Sequence, residues 1–220
     1  MNFKCADFSY AKLDNLEIGK LNAENANFGY ANLNDSHISG TLYNCNFKEA
    51  DLSRASMDYT GLSYCNFEKA DLSYAILVES GVSKADFSEA SLSEAHIEGT
   101  FFNKSKFEKA SLIMTQMWRS DFEDCNFNHA NLSSAVMRES NFKNATFINT
   151  CLRNVDLEEA DLTGADMSNA NLSNAKINKA IFEGTNLTNV DLTNVDIENI
   201  DFSKTIIDGC YSRIIKEDIE

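Results

Sequence analysis

Six cysteines and three histidines are the side chains of this chain best suited to bind a metal or to act as nucleophile and base. Cys45 and Cys65 lie twenty residues apart, and Cys125 falls at the same place in the repeating pattern described below. Stacked on adjacent coils, Cys45 and Cys65 suggest a disulfide or a metal pair. However, Ala85 and Ala145 occupy the same position, and no His or second pair of thiols completes a metal site. We therefore interpret the three cysteines as small buried apolar side chains.

The remaining cysteines and the histidines do not combine into a catalytic group. Three cysteines fall outside the buried position and are expected to be more exposed: Cys5, Cys151 and Cys210. The histidines lie in outward positions on different coils: His37, His96 and His129. Catalysis needs nucleophile, base and orienting group brought together, and no Ser or Cys is placed as a partner. We therefore expect no catalytic, metal or cofactor-binding residues, and predict that the protein is not an enzyme.

Asp or Asn precedes many of the large apolar residues, as in Ala50-Asp51-Leu52 and Ala130-Asn131-Leu132. Paired carboxylates are a common device of general acid–base catalysis. These residues recur on every side of the predicted coil, which favours a structural role. Their side chains are expected to hydrogen-bond the backbone at corners.

A group of apolar and aromatic residues in outward positions is the first candidate binding surface. It comprises Ile76, Val78, Ile113, Met114, Trp118, Arg119 and Val136. Trp118 is the only Trp of the chain, and exposed Trp and Arg are enriched at binding hot spots. The alternative is that these are isolated apolar surface residues, which are common in any protein.

An acidic stretch near the C-terminus is the second candidate. Its residues are Asp156, Glu158, Glu159, Asp161, Asp191, Asp196, Glu198 and Asp201. Between Val155 and Asp201, only Lys176 and Lys179 oppose the acids. A negative rod suits a basic DNA-binding surface, but acidity also serves solubility alone.

All of these residues are positioned by a repeat of five. From Leu42 to Ile207 every fifth residue is a large apolar one, usually Leu, Phe, Ile or Met. This period fits neither an α-helix nor an alternating strand, and it marks a repeat architecture. The small residue two places earlier points the same way in an extended chain, and Asp, Asn, Ser and Gly suit the corners between extended segments.

Sorting the large residues every twenty positions predicts four sides per coil. One column contains only Leu, from Leu52 to Leu192, and another contains Phe from Phe47 to Phe147. Sorting every fifteen positions mixes residue types. Because stacked residues share one packing environment, about twenty residues form each four-sided coil.

One corner near the N-terminus is a residue short. Large residues from Phe3 to Ile38 follow the same period, but the step from Ile38 to Leu42 is four. Gly40 is expected to take a tight turn there. Leu21 and Ala23 exchange the usual sizes of their positions, which predicts local repacking at similar volume.

This pattern resembles the pentapeptide-repeat family, whose motif is A(D/N)LXX, over Phe3 to Ile207. The resemblance implies an all-β fold, a right-handed quadrilateral parallel β-helix of about ten coils. We predict the β-helix over residues 1–208 and a C-terminal cap or tail over 209–220. The apolar residues between Tyr211 and Ile219 have helical spacing, so a short helix there is predicted to cover the last coil or pair two chains.

The formal net charge of −15 disfavours direct binding of nucleic acid or an anionic membrane. No signal peptide or membrane-spanning segment is evident, so a cytoplasmic location is expected. No comparable cap precedes Phe3, which makes end-to-end association of two copies plausible.

We therefore predict a non-catalytic protein-interaction or scaffold protein with an unidentified protein partner. Some members of the family that this chain resembles mimic DNA, bind type II topoisomerases such as DNA gyrase and modulate sensitivity to quinolones or toxins. That is the alternative, although the quinolone-resistance members carry projecting loops and this chain has no insertion between Leu42 and Ile207. A third alternative is an enzyme with a site at the acidic surface.

Overall fold

The computed structural model describes residues 1–198 and 200–210, and its chain winds through stacked four-sided coils. Parallel bridges join each side to the equivalent side of the next coil, as between Asn46 and Asn66 or Ser56 and Ile76. We number the sides 1 to 4 after the inward residues of one coil: Phe47, Leu52, Met57 and Leu62. The predicted four-sided coil of about twenty residues is confirmed.

Each regular corner has the same backbone geometry. In the corner after Phe47, the Ala50 N–H donates to the Phe47 carbonyl at 3.0 Å, and Glu49 between them has a φ of 55°. The Asp51 Oδ1 then accepts the Ser53 N–H at 3.0 Å at the next corner. The predicted corner role of Asp and Asn is therefore confirmed. Their short side chains satisfy backbone donors that a turn would leave unpaired.

Large and small inward residues form one continuous core. On side 1, Phe47, Phe67 and Phe87 are fully buried, with parallel rings whose centroids are 4.9 and 4.6 Å apart. From Phe102 to Phe142, side 4 contributes a second column of Phe that meets the first edge to face. Ring stacking along the axis and edge contacts across it hold the coils in register.

The short corner differs from its prediction. The chain there forms two parallel strands, β1 (Glu17–Asn22) and β2 (His37–Thr41), with a bulge in β1 between Ile18 and Leu21. The corner is extended rather than a tight turn. A Cβ on Gly40, which has a φ of 134°, would overlap the Leu21 carbonyl oxygen and lie 2.6 Å from the Leu21 nitrogen. Glycine is required because two backbones approach closely. Leu21 and Ala23 are both buried, as the predicted exchange of sizes requires.

A ladder of buried hydroxyls lines the corner between sides 3 and 4. Its members are Thr60, Ser80, Thr100, Ser120 and Ser140. The Thr60 N–H donates to Ser80 Oγ at 3.0 Å, and that hydroxyl donates to the Met57 carbonyl at 2.8 Å. At the same corner one coil beyond Ser140, the Ala160 N–H instead donates to the Leu157 carbonyl, which is the ordinary turn bond. Side-chain hydroxyls therefore replace the turn hydrogen bond in this part of the rod.

The predicted C-terminal helix falls on residues 211–220, outside the described residues. Over residues 1–198 and 200–210 there is no α-helix, and hence no helix of the length and apolarity needed to span a bilayer.

Candidate functional site

Trp118 is the central residue of the first candidate surface. It lies on side 3, and 38% of its surface is exposed. The Arg119 guanidinium lies 4.9 Å from the centre of the indole ring, and its Nε donates to Glu139 at 2.8 Å. The cation on the ring face stabilises this orientation of the indole, and the salt bridge holds the guanidinium in place. An aromatic side chain that is already ordered loses less entropy on binding.

The seven residues of this surface do not form one apolar patch. Along side 3 the outward bridges run from Ile76 to His96, Gln116 and Val136, so two polar residues separate the two aliphatic ones. Met114, at the far edge of the same side, is exposed, and its carbonyl accepts the Gln116 side-chain amide at 3.2 Å. The apolar residues therefore flank a polar strip.

Glu98 lies one coil before Trp118 in that strip. Its Oε1 is 3.1 Å from His96 Nδ1, whereas its Oε2 is buried and lacks a hydrogen-bond partner within residues 1–198 and 200–210. An unpaired buried carboxylate oxygen costs free energy. Phe101, which the sequence pattern does not single out, is exposed just past the adjacent corner on side 4. Its outward position in the repeat was the available signal.

Half of the second candidate surface is neutralised by bases from neighbouring coils. Asp156 and Glu158 both pair with Arg138, and Glu159 pairs with Lys179 at 2.6 Å. The Lys179 ammonium lowers the pKa of Glu159 through a hydrogen bond and its charge. Counting bases only between Val155 and Asp201 missed Arg138, because the coil brings residues twenty apart into contact.

Asp161 is the fourth paired acid, with Lys143 Nζ 3.0 Å from its Oδ2. Burial opposes its ionisation, but hydrogen bonds from Thr163 and Lys143 outweigh that effect and lower its pKa. Its Oδ1 accepts the Thr163 N–H at 3.0 Å. Asp161 is therefore part of a corner as well as of a charged surface.

Four of the acids have no ion-pair partner in the described part of the chain: Asp191, Asp196, Glu198 and Asp201. Asp191, Asp196 and Asp201 each accept the N–H two residues later, at 2.9 to 3.0 Å. Their carboxylates accept hydrogen bonds at the corners, and their negative charges have no ion-pair partner among the described residues.

The cysteines lie where the repeat predicts. Cys45, Cys65 and Cys125 are buried free thiols, whereas Cys5 is exposed and Cys151 half-buried. Burial raises the pKa of the Cys65 and Cys125 thiols, which suppresses the reactive thiolate. No disulfide joins cysteines of the described residues, and no cluster there has the make-up of a metal site.

The expectation that no Ser accompanies a histidine is wrong for His37. Its Nδ1 lies 2.9 Å from Ser56 Oγ on the next coil. The Ser56 hydroxyl also lies 3.2 Å from Asp58 Oδ2, to which it can donate its single proton. The short corner changes the spacing between neighbours from twenty to nineteen residues, which hides this pair. When Ser56 donates to Asp58, His37 Nδ1–H donates to Ser56 and the imidazole does not act as its base.

Exposed tyrosines at the corners were not anticipated from the sequence. Six of them lie between residues 10 and 74: Tyr10, Tyr30, Tyr43, Tyr59, Tyr64 and Tyr74. Tyr10 and Tyr30 stack with ring centres 4.8 Å apart, and Lys84 donates to the Tyr64 hydroxyl at 2.9 Å. All of them except Tyr43 lie two places after the large residue, which was the signal that the pattern offered. Tyrosine is enriched at protein interfaces.

Two family models match most of this repeat. A family model described as "Pentapeptide repeats (8 copies)" matches residues 41–73 and 85–124, and one described as "Pentapeptide repeat region" matches 135–211. No curated protein sequence matches the chain significantly.

Solved structures share the fold. Full-length QnrB1, a plasmid-mediated fluoroquinolone resistance protein, is 21% identical with a TM-score of 0.51, over 87% of this chain and 89% of that chain. HetL, a protein of heterocyst differentiation regulation from the cyanobacterium Nostoc, is 24% identical with a TM-score of 0.47, over the same shares. The fold is a right-handed quadrilateral parallel β-helix, as the resemblance to the pentapeptide-repeat family implied.

Proposed function

The chain belongs to the pentapeptide-repeat family, and from that premise we propose that it acts as a non-catalytic protein-interaction or scaffold protein. Proteins of this family generally serve structural and interaction roles. A rod with a filled core offers long surfaces rather than an enclosed active site. Within the described residues, the one serine hydroxyl in hydrogen-bond contact with a histidine nitrogen is that of Ser56, which can donate its proton to Asp58.

The observation that supports this proposal best is the ordered, exposed Trp118. The Arg119 guanidinium lies over one face of its ring. Glu98 and His96, which contact each other, lie on the preceding coil. Aromatic residues held in place beside polar groups are typical binding hot spots. We propose that a protein partner covers Trp118 together with the exposed Ile76 and Phe101 on either side of it.

The test is capture of partners from a lysate by wild-type protein and by Trp118→Ala. The variant is expected to lose the partner while its thermal midpoint stays unchanged, because the indole lies on the surface, outside the core. Tyr10→Ala, which removes an exposed ring from a distant coil, is the matched control and should capture normally. Equal capture by Trp118→Ala and wild type contradicts this binding surface.

A second candidate function is binding of DNA gyrase as an acidic mimic of DNA. The uncompensated charge of Asp191, Asp196 and Asp201 on adjoining sides of one coil favours it, since duplex-like charge suits a basic cleft. The likeness to QnrB1 concerns the fold. The triple change of these residues to Asn keeps the corner hydrogen-bond acceptors and removes the charge.

Gyrase supercoiling, measured with and without a quinolone, tests this second function. Wild-type protein is expected to change supercoiling or to protect against the drug, and the triple Asn variant to lose the effect. No effect of wild-type protein at micromolar concentration excludes the mimic.

A further inference from the structure

A depression lies at the corner between sides 3 and 4 in the first three coils. It is lined by Lys20, His37, Ser39, Gly40, Asp58 and Tyr59. Lys20 and Tyr59 are the corner residues of the first and third coils, with φ of 55° and 53°. The coil between them lacks such a residue, because its chain steps only four positions from Ile38 to Leu42. The depression is the space that the missing corner residue would occupy.

The floor of the depression is backbone at Gly40, whose carbonyl accepts the Gly61 N–H at 2.9 Å. A side chain at this position would collide with the Leu21 backbone. Ser39 and His37, on the same coil as Gly40, line the depression between the walls formed by Lys20 and Tyr59.

The imidazole of His37 contacts Ser56 through Nδ1, so Nε2 is the ring nitrogen available at this site. Asp58 accepts the Val78 N–H at Oδ1 and the Ser56 hydroxyl at Oδ2. When the single Ser56 proton is given to Asp58, the 2.9 Å contact with His37 is made by an Nδ1–H donor. In this tautomer of the uncharged imidazole, Nε2 is an acceptor. Asp58 and Ser56 are positioning residues for this tautomer.

Three hydrogen-bond donors at the depression have no partner in the described residues. The Lys20 ammonium makes no ion pair or side-chain hydrogen bond there, and neither do the hydroxyls of Ser39 and Tyr59. Only Lys12 and Arg153 share that condition among the other described bases. Tyr59 is 71% exposed, and its ring has no aromatic neighbour. These three donors, together with His37 Nε2 as an acceptor, are available to a ligand.

We propose that this depression binds a small oxyanion that retains a hydroxyl group, of which inorganic phosphate is the simplest. Its oxygens accept from Lys20, Ser39 and Tyr59, and its P–OH donates to His37 Nε2. Asp58 lines the depression, and Glu17 of β1 pairs with His37 of β2. Both carboxylates are negative, and their repulsion weakens the binding of a fully ionised ligand. Recognition therefore depends on hydrogen bonds, and the acceptor selects a ligand that can donate.

The experiment is calorimetric titration of the full chain with phosphate and with sulfate at equal ionic strength. Sulfate carries no proton at neutral pH, so its affinity is expected to be about tenfold lower or worse. Lys20→Met should weaken phosphate binding by about tenfold, whereas Lys12→Met, which removes another unpaired ammonium from the first coil, should leave it unchanged. Circular dichroism checks that both variants fold.

A further variant fills the depression directly. Insertion of one Asn between Ser39 and Gly40 restores the five-residue step, and is expected to abolish phosphate binding. If that variant does not fold, Tyr59→Phe replaces it and is expected to weaken phosphate binding. Absence of heat with phosphate, equal affinity for sulfate, or equal loss in Lys12→Met and Lys20→Met would each overturn the proposal.

Discussion

The Ser80 hydroxyl joins neighbouring coils by accepting the Thr60 N–H at 3.0 Å while donating to the Met57 carbonyl at 2.8 Å. One buried hydroxyl thus satisfies two backbone groups that an ordinary corner pairs with each other. Ser80→Ala leaves both without a partner and is expected to lower the free energy of unfolding by about 1–3 kcal/mol. Chemical denaturation measures the change.

Ser83→Ala is the control for that change, because Ser83 lies on the same coil, is only half-buried and makes no side-chain hydrogen bond in the described residues. It should be close to neutral. If Ser80→Ala is equally neutral, the corner has closed into the turn seen at Ala160, and the hydroxyl ladder contributes little.

Gly40→Ala is expected to be severely destabilising, by roughly 3 kcal/mol or more, since the added Cβ overlaps the Leu21 backbone at an unfavourable φ. Gly81→Ala is the matched control on side 4. An added Cβ there meets nothing within 4 Å, and the change should stabilise by about 0.5 kcal/mol through the unfolded chain. Comparable thermal midpoints for the two variants would contradict the close approach of β1 and β2.

Asp161 predicts a specific acid dependence. Its pKa is lowered in the folded protein, so its contribution to stability is complete above the pKa of the unfolded chain, about 4, and is lost as pH falls toward the folded value. Asp161→Asn keeps the Thr163 hydrogen bonds and removes the charge. The difference in thermal midpoint between wild type and variant should be largest near neutral pH and shrink below pH of about 4. A constant difference would indicate that the Lys143 pair adds no stability.

Thiol accessibility distinguishes the cysteines without any knowledge of function. Cys5 is exposed, whereas Cys65 and Cys125 are buried with raised pKa values. A chromogenic disulfide reagent is expected to react rapidly with Cys5 in the native protein, and with Cys65 and Cys125 only after denaturation. Cys5→Ser should remove the rapid phase. Rapid native reaction in that variant would show that the core opens.

The fold was predictable because each inward residue repeats one packing environment. The Leu column through Leu52 and the Phe column through Phe47 report the number of sides directly, and their burial follows from that number. The extended corner at Gly40 was not predictable in form, since a missing residue permits either a tight turn or two extended strands. The close contact with Leu21 decides between them, and it depends on a neighbouring coil.

The candidate sites were predictable only in part. Trp118 stands out from the repeat by type and position alone. The His37–Ser56 contact and the depression beside Tyr59 arise from a change of register, which brings together residues that a fixed period of twenty keeps apart. The ion pairs of Arg138 were not predicted for a related reason: charges were counted along the chain, whereas the ion pairs form between coils.

The parallel bridges of this rod join each coil only to the coils directly before and after it, as Asn66 links to Asn46 and to Asp86. Within residues 1–198 and 200–210, no bridge joins the first coils to the last. Under mechanical tension applied at its two ends, the protein should therefore lengthen in successive increments of one coil, each resisting with similar force.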